Sequence, residues 1–227
     1  MNLEIFQLEH SLAFDDESVV ILAIENQRFY REIIESFVQT LNDEPAPIEI
    51  QLYEAGERLV LAKELLLITD VFGFDFKQRT LVTKIYKQLE KRYHISKETD
   101  VIDQKIVELR SLITDQLTEC AIELTVDDAT SLATIFKMFN LRIDIEETTM
   151  FQRLLAIIDV IAELVLVRVL VLNNIRCYFN ANELVEIYKY ALYHQVKLLV
   201  IEPQYHQKAL MYEKTLHIDE DYVEFWR

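Results

Sequence analysis

Six of the chain's 23 lysines and arginines fall within residues 77–92, where Lys77, Arg79, Lys84, Lys87, Lys91 and Arg92 accompany one acid, Glu90. Lys84, Lys87 and Lys91 step by three and four, so a helix through them carries all three on one side, with Arg92 adjoining. The stripe admits two readings. One is the solvated face of an exposed helix, with the aliphatic stems covering apolar surface. The other is a phosphate-binding surface, where cations displace condensed counterions and make contacts that carry no base sequence information.

Immediately downstream, residues 98–147 hold twelve acids and four bases. Glu119 and Glu123 sit four apart at the end of a helical pattern, and Asp127 and Asp128 follow at the turn into the next. Like charges at this spacing cost about a few tenths of a kcal/mol. A hard cation seeking several oxygens would relieve that repulsion, and calcium accepts such irregular carboxylate geometry. The alternative is that Asp127 caps a helix and the other acids are solvated. Asp144, Glu146 and Glu147 form a second acidic cluster that could contribute.

A third set, Asp70, Asp75 and Glu202, follows apolar runs that read as parallel strands. The carboxyl ends of such strands are where α/β sheets place their sites. One reading is a magnesium-dependent nuclease built on the three acids; the other is structural remnants or capping groups. The glycine content bears on the choice. The 227 residues contain two glycines, Gly56 and Gly73, too far apart for a phosphate loop, a dinucleotide fingerprint or a G-x-S-x-G elbow. None of His10, His94, His194, His206 and His217 forms an H-x-x-x-H pair, and Cys120 and Cys177 lack C-x-x-C partners, so zinc is unsupported. Spacing alone argues for no Ser–His–Asp arrangement.

These groups sit in a chain that is 51% hydrophobic and 27% charged, with a formal charge of −16. Such a composition describes a soluble globular protein with a sizeable core. The charge repels a polyanion on average, so nucleic-acid binding requires that cations and anions be segregated. The start, Met1-Asn2-Leu3-Glu4, lacks a signal-peptide pattern, and two cysteines fit buried thiols in a reducing cytosol, so a cytoplasmic location is expected. Leu154–Leu172 has nearly the length of a membrane span, but Asp159, Glu163 and Arg168 cancel its apolar gain. Its period also changes midway, so the expectation is an amphipathic helix running into a buried strand, with no membrane association.

Four short apolar runs read as buried parallel strands: Val19–Ile24, Leu65–Thr69, Val167–Leu172 and Lys197–Ile201. Helical patterns occupy Asn26–Leu41, Phe151–Val165 and Asn182–Tyr193, the last with Asn180 or Asn182 as cap. This alternation predicts an α/β sheet with right-handed crossovers. The middle is helical. Thr80–Tyr93 turns Val82, Ile85, Leu89 and Tyr93 inward. Thr99–Leu124 carries one stripe of Ile102, Ile106, Leu109, Ile113, Leu117, Cys120 and Leu124 over about seven turns and is expected to protrude. A shorter helix, Asp127–Phe139, brings the chain back. The expected organisation is an α/β head from residues 1–76 and 141–227, with a helical leg, 77–140, inserted. The last ten residues alternate charged and aromatic groups, as in an edge strand or docked tail with Trp226 packed on the body.

The strand ends carry a resemblance. Leu65–Thr69 ends in Asp70 and continues as Val71-Phe72-Gly73-Phe74-Asp75. Val167–Leu172 ends in Asn173-Asn174, Lys197–Ile201 ends in Glu202-Pro203, and the tail holds Asp219-Glu220-Asp221-Tyr222. In this order, with a helical insertion and this length, the chain resembles the CRISPR-associated Csn2 family of type II-A systems. The match is tightest over residues 64–76 and 166–203. The resemblance implies an α/β, P-loop-NTPase-like parallel-sheet head without a phosphate loop, plus an inserted α-helical leg. It implies a non-catalytic protein of spacer acquisition that forms a homotetrameric ring, holds calcium between head and leg, and takes double-stranded DNA ends into a basic channel. Under it, Glu119, Glu123, Asp127 and Asp128 are the expected Ca2+ ligands, and Lys84, Lys87, Lys91 and Arg92 the expected DNA contacts. The expected partners are double-stranded DNA, further copies of the chain, and the CRISPR integrase and RNA-guided effector nuclease of the same system. The rivals are a metal-dependent nuclease or degenerate NTPase, and an acidic protein-interaction scaffold.

Overall fold

The computed structural model describes residues 1–95, 99–117, 122, 124, 125, 131–144 and 149–227. Its contacts define two compact units, Met1–Phe74 with Ile145–Arg227, and Asp75–Asp144. The first unit runs β1 (Asn2–Ile5), β2 (Leu12–Ala13), β3 (Val19–Ile24), α1 (Gln27–Leu41), β4 (Ile50–Glu54), β5 (Glu57–Leu59), α2 (Leu61–Glu64) and β6 (Leu65–Ile68). The second holds α3 (Arg79–Ile95), α4 (Thr99–Leu117) and α5 (Leu132–Met138). The chain then resumes the first unit with α6 (Met150–Leu164), β7 (Val169–Asn173), a 3-10 turn at Ile175–Cys177, α7 (Ala181–Tyr193), β8 (Lys197–Glu202), β9 (Glu213–Ile218) and β10 (Glu224–Trp226).

Six of these strands form one sheet in the order β10-β9-β3-β8-β7-β6. It is parallel from β9 to β6, with β10 added antiparallel at the edge. All six residues of β3 are buried. That explains why the central strands read as continuous apolar runs: a strand covered on both faces has no solvent side to alternate with. On one face Val20, Leu22, Ile24, Leu199 and Ile201 join a core with Phe29, Ile33 and Phe37 of α1. On the other, α7 packs on β8 and α6 on α7, contributing Leu154, Ile158, Ile187 and Tyr188 to the buried set. Each such side chain contributes roughly 1.5–3 kcal/mol by leaving water. The stretch Leu154–Leu172 is a helix running into a buried strand, as its change of period requires, and no described helix is long and apolar enough to cross a membrane.

The helix ends follow from side-chain chemistry. Asn26 Oδ1 accepts the Phe29 N–H at 3.0 Å and starts α1. Asn180, not Asn182, caps α7 in a capping box: its Oδ1 accepts the Glu183 N–H at 3.1 Å, and Glu183 Oε2 accepts the Asn180 N–H at 2.9 Å. Thr149 caps α6, which ends at Val165 in the left-handed region (φ 47°, ψ 48°).

The structure departs from the sequence reading in several places. A second, four-stranded antiparallel sheet, β2-β1-β4-β5, was not anticipated. Its strands are two to five residues long, too short for periodicity to register. Ala55 and Gly56 take positive φ (51° and 84°) in the β4–β5 hairpin, where a right-twisted ribbon needs such a turn. Strand β9 was also missed, because Lys214, Thr215 and His217 interrupt its apolar pattern. The last residues do form an edge strand, and Trp226 packs half-buried against the core beneath Lys214 Nζ, 5.2 Å from its ring. Cys177, expected to be buried, is exposed and free, with its Sγ on the Asn174 carbonyl at 2.8 Å; the 3-10 turn points Ile175 inward instead.

The helix expected over Thr99–Leu124 is described as helix only to Leu117, about five turns, and Leu124 lies outside any helix. Its apolar stripe is not closed off among the described residues. Leu109 and Ile113 are exposed and, with Ile102, Ile106, Ile135 and Phe139, line a groove of about 370 Å³ between α4 and α5. Cys120 lies outside the described residues. The returning helix is described from Leu132, capped by Ser131, whose Oγ accepts the Thr134 N–H at 3.3 Å.

Candidate nucleic-acid interface

Helix α3 is oriented by its aromatic contacts within the second unit. Leu81, Ile85 and Tyr86 are buried, while Val82, Leu89 and Tyr93 are half-buried, so the inward face is centred a little differently from the expected row. Tyr86 and Tyr93 both pack on Phe136 of α5, with ring centroids 5.6 and 6.0 Å apart. The Tyr86 hydroxyl donates to the Leu141 carbonyl at 2.9 Å, pinning the rotation of α3.

That rotation decides where the cations go. With 3.6 residues per turn, Lys84, Lys87 and Lys91 fall within an arc of roughly 60° on the side away from Tyr86 and Tyr93, and Arg92 lies about 100° round from Lys91. Lys87, Lys91 and Arg92 are exposed and Lys84 is half-buried. Lys77, just before the helix, is also exposed, and its N–H donates to Asp75 Oδ1 at 2.8 Å. All four predicted DNA contacts thus stand on one helix, three as a stripe and Arg92 at its flank. The three lysines lie off the face that buries Leu81, Ile85 and Tyr86, whereas Arg92 projects between Leu81 and Ile85 near the helix end.

The proposed metal ligands Glu119, Glu123, Asp127 and Asp128 lie outside the described residues, as do Glu146 and Glu147 of the second cluster. Asp144 is described and exposed. Among the described residues no three or more histidine, cysteine or acidic side chains gather into a metal-holding group. The three acids of the nuclease reading are each engaged with nearby backbone. Asp70 Oδ1 accepts the Gly73 N–H at 2.9 Å, Asp75 takes the Lys77 N–H, and Glu202 Oε1 accepts the Arg176 N–H at 3.0 Å.

Sequence reasoning found Glu202 but missed its partners. Arg176 is an ion-pair partner of Glu213, with only 11% and 1% of their side chains exposed. An arginine three residues beyond a buried strand, Asn173-Asn174-Ile175-Arg176, was the available signal. Burial pushes the Glu202 carboxyl up to about 7, against the lowering effect of Arg176. Tyr30, whose hydroxyl donates to Asn173 Oδ1 at 2.7 Å, is pushed up to about 12 by burial and by the charge of Glu202. The N-terminal hairpin and the last strand are joined by another carboxylate: Glu224 accepts the Glu9 and His10 N–H groups at 2.7 and 3.1 Å and meets His10 Nδ1 at 2.8 Å.

The family profile described as CRISPR-associated protein (Cas_Csn2) matches residues 47–222. A CRISPR-associated protein Csn2 of Streptococcus agalactiae is 26% identical over 188 residues, covering 82% of this chain and 83% of that protein. A CRISPR-associated protein Csn2 of Enterococcus faecalis is 22% identical over 197 residues, covering 86% and 88%. The crystal structure of Stu0660 of Streptococcus thermophilus superposes with a TM-score of 0.57 at 11% identity, covering 96% of this chain and 74% of that one, a likeness of fold.

Proposed function

Because the chain belongs to the CRISPR-associated Csn2 family, we propose that it is a non-catalytic, sequence-independent binder of double-stranded DNA ends that acts in spacer acquisition. The observation that carries this reading is the α3 stripe: Lys87 and Lys91 exposed and Lys84 half-buried beside them, with Arg92 exposed further round the helix, in a chain of net charge −16. Salt confines exposed charges to a range of about 8–10 Å, so the local face a phosphate meets, rather than the net charge of the chain, sets the attraction. Contacts of this kind are made to the backbone of the duplex and are indifferent to its bases.

In this reading residues 1–76 and 141–227 are a P-loop-NTPase-like head without a phosphate loop, and 77–140 a leg. Four copies form a ring, so that each short stripe becomes one quarter of a channel lining. Glu119, Glu123, Asp127 and Asp128 hold calcium, which neutralises carboxylates that would otherwise repel one another. The protein works in the cytoplasm beside the integrase and the RNA-guided effector nuclease of its system.

The test is a gel-shift assay on linear and covalently closed circular duplexes of one sequence, with calcium and with excess chelator. A shift of linear DNA alone, weakening steeply with salt and lost with chelator, supports the reading. No shift of either form supports an acidic scaffold instead. Cleavage of labelled DNA with magnesium that Asp70→Ala abolishes supports the nuclease. Light scattering with and without calcium reports the assembly.

A further inference from the structure

Glu202 ends β8 and Glu213 begins β9, and both carboxyls are sequestered from solvent, with Glu202 2% exposed. Arg176, in the 3-10 turn after β7, joins them through two different groups. Its backbone N–H donates to Glu202 Oε1 at 3.0 Å, and its guanidinium pairs with Glu213 Oε1. The other Glu213 oxygen accepts the Leu210 N–H at 2.8 Å. The segment 203–212 begins directly after one of these acids and is tied near its far end to the other. Between those ties Gln204 and residues 206–209 are exposed.

The charges in this cluster do not balance. Two carboxylates share one guanidinium, whose Nε is buried and has no acceptor among the described residues. The groups that face the acids from the packed elements supply no second cation. They are Tyr30 from α1, Tyr188 from α7 and His206 from the segment itself. His206 is held neutral more readily than usual by burial and by Arg176. Glu213 has the guanidinium and the Leu210 N–H as its partners. Glu202 has only backbone donors, so it is the acid that takes the proton, and burial raises its affinity for one.

We propose that Arg176, Glu202 and Glu213 form a proton-operated latch: with Glu202 protonated, segment 203–212 is closed on the sheet, and loss of that proton loosens it. A buried carboxylate without a cation of its own is costly, and the cheapest relief is for the covering segment to open and admit water. Tyr205, stacked on His217 at 4.3 Å, moves with the segment, so the latch also governs one aromatic contact of β9.

Amide hydrogen exchange of the full chain, read on Leu210 and its neighbours and corrected for the intrinsic rate, tests this between pH 5.5 and 8.5. Protection should fall about tenfold per pH unit below 7 and level off above it. Glu202→Gln, which mimics the protonated acid, should give protection that is flat with pH. Wild-type protection that does not change with pH overturns the proposal, as does an E202Q slope equal to that of wild type. If E202Q does not fold, the wild-type profile decides: protection at Leu210 that falls with pH while that of a core β7 amide such as Val171 holds supports the latch, and parallel loss at both sites overturns it.

Discussion

The Asp70 carboxyl lies over Gly73 so closely that a Cβ on the glycine would overlap Oδ2 and stand 3.0 Å from Cγ. Asp70 Oδ1 accepts the Gly73 N–H at 2.9 Å, so the acid that follows β6 is spent on closing the turn after that strand. The close approach gives one of the chain's two glycines a steric reason. Gly73→Ala should force Asp70 out of the turn and cost about 1–2 kcal/mol, comparable with the hydrogen bond it removes. Asp70→Ala removes the same bond. Urea unfolding of both single variants and the double variant should therefore give a coupling of about 1 kcal/mol, the double costing less than the sum. Simple additivity would show that the two residues act independently.

Val165 occupies the left-handed region at the end of α6 and is 65% exposed. A β-branched residue there carries a strain of roughly 1–2 kcal/mol, and little burial compensates it. Val165→Gly or Val165→Asn should raise stability by about 0.5–1 kcal/mol, read as a higher thermal midpoint. A lower midpoint for both would mean that the valine side chain holds the α6–β7 connection in place.

Glu202 makes folding depend on pH in a definite direction. Its carboxyl is raised from 4.5 to about 7 in the folded chain, so the native state binds more protons than the unfolded state between those values. Its contribution to stability is complete below 4.5 and is lost as the pH rises through 7. The loss is up to about 1.4 kcal/mol per pH unit. His206 acts oppositely, because its folded value is lowered and its cost is felt on acidification. The difference between wild type and Glu202→Gln isolates Glu202: chemical denaturation should find the variant gaining on wild type from pH 5 to 8. A constant difference would refute the assignment.

The α3 stripe predicts a change in the salt dependence of DNA binding. Each phosphate contact contributes about −0.9 to the slope of log K against log salt. Lys87→Ala with Lys91→Ala should make the slope shallower by about 2 per participating chain, equally on any duplex sequence. Lys63→Ala, an exposed cation on the first unit, serves as control and should leave the slope unchanged. An unaltered slope in the double variant would remove α3 from the interface.

Local sequence determined the elements whose burial is one-sided or complete. Val19–Ile24, the helices beside it and the passage from α6 into β7 follow from apolar period alone, because a strand covered on both faces and a helix covered on one leave different spacings. The lysine stripe was readable for the same reason: residues three and four apart share a helix face in any context.

Tertiary structure decided what depends on partners distant in sequence. The small sheet exists because Leu3 and Ile5 meet Leu52 and Ile50 across some forty-five residues, and no two-to-five-residue segment specifies that pairing by itself. The apolar stripe of α4 continues past the point where the described helix ends, so periodicity overstated its length. Glu202 and Glu213 resemble any of the chain's 39 acids in the sequence. Only the fold seals them in beside a single arginine, and burial, which no local pattern encodes, gives a carboxylate its unusual proton affinity.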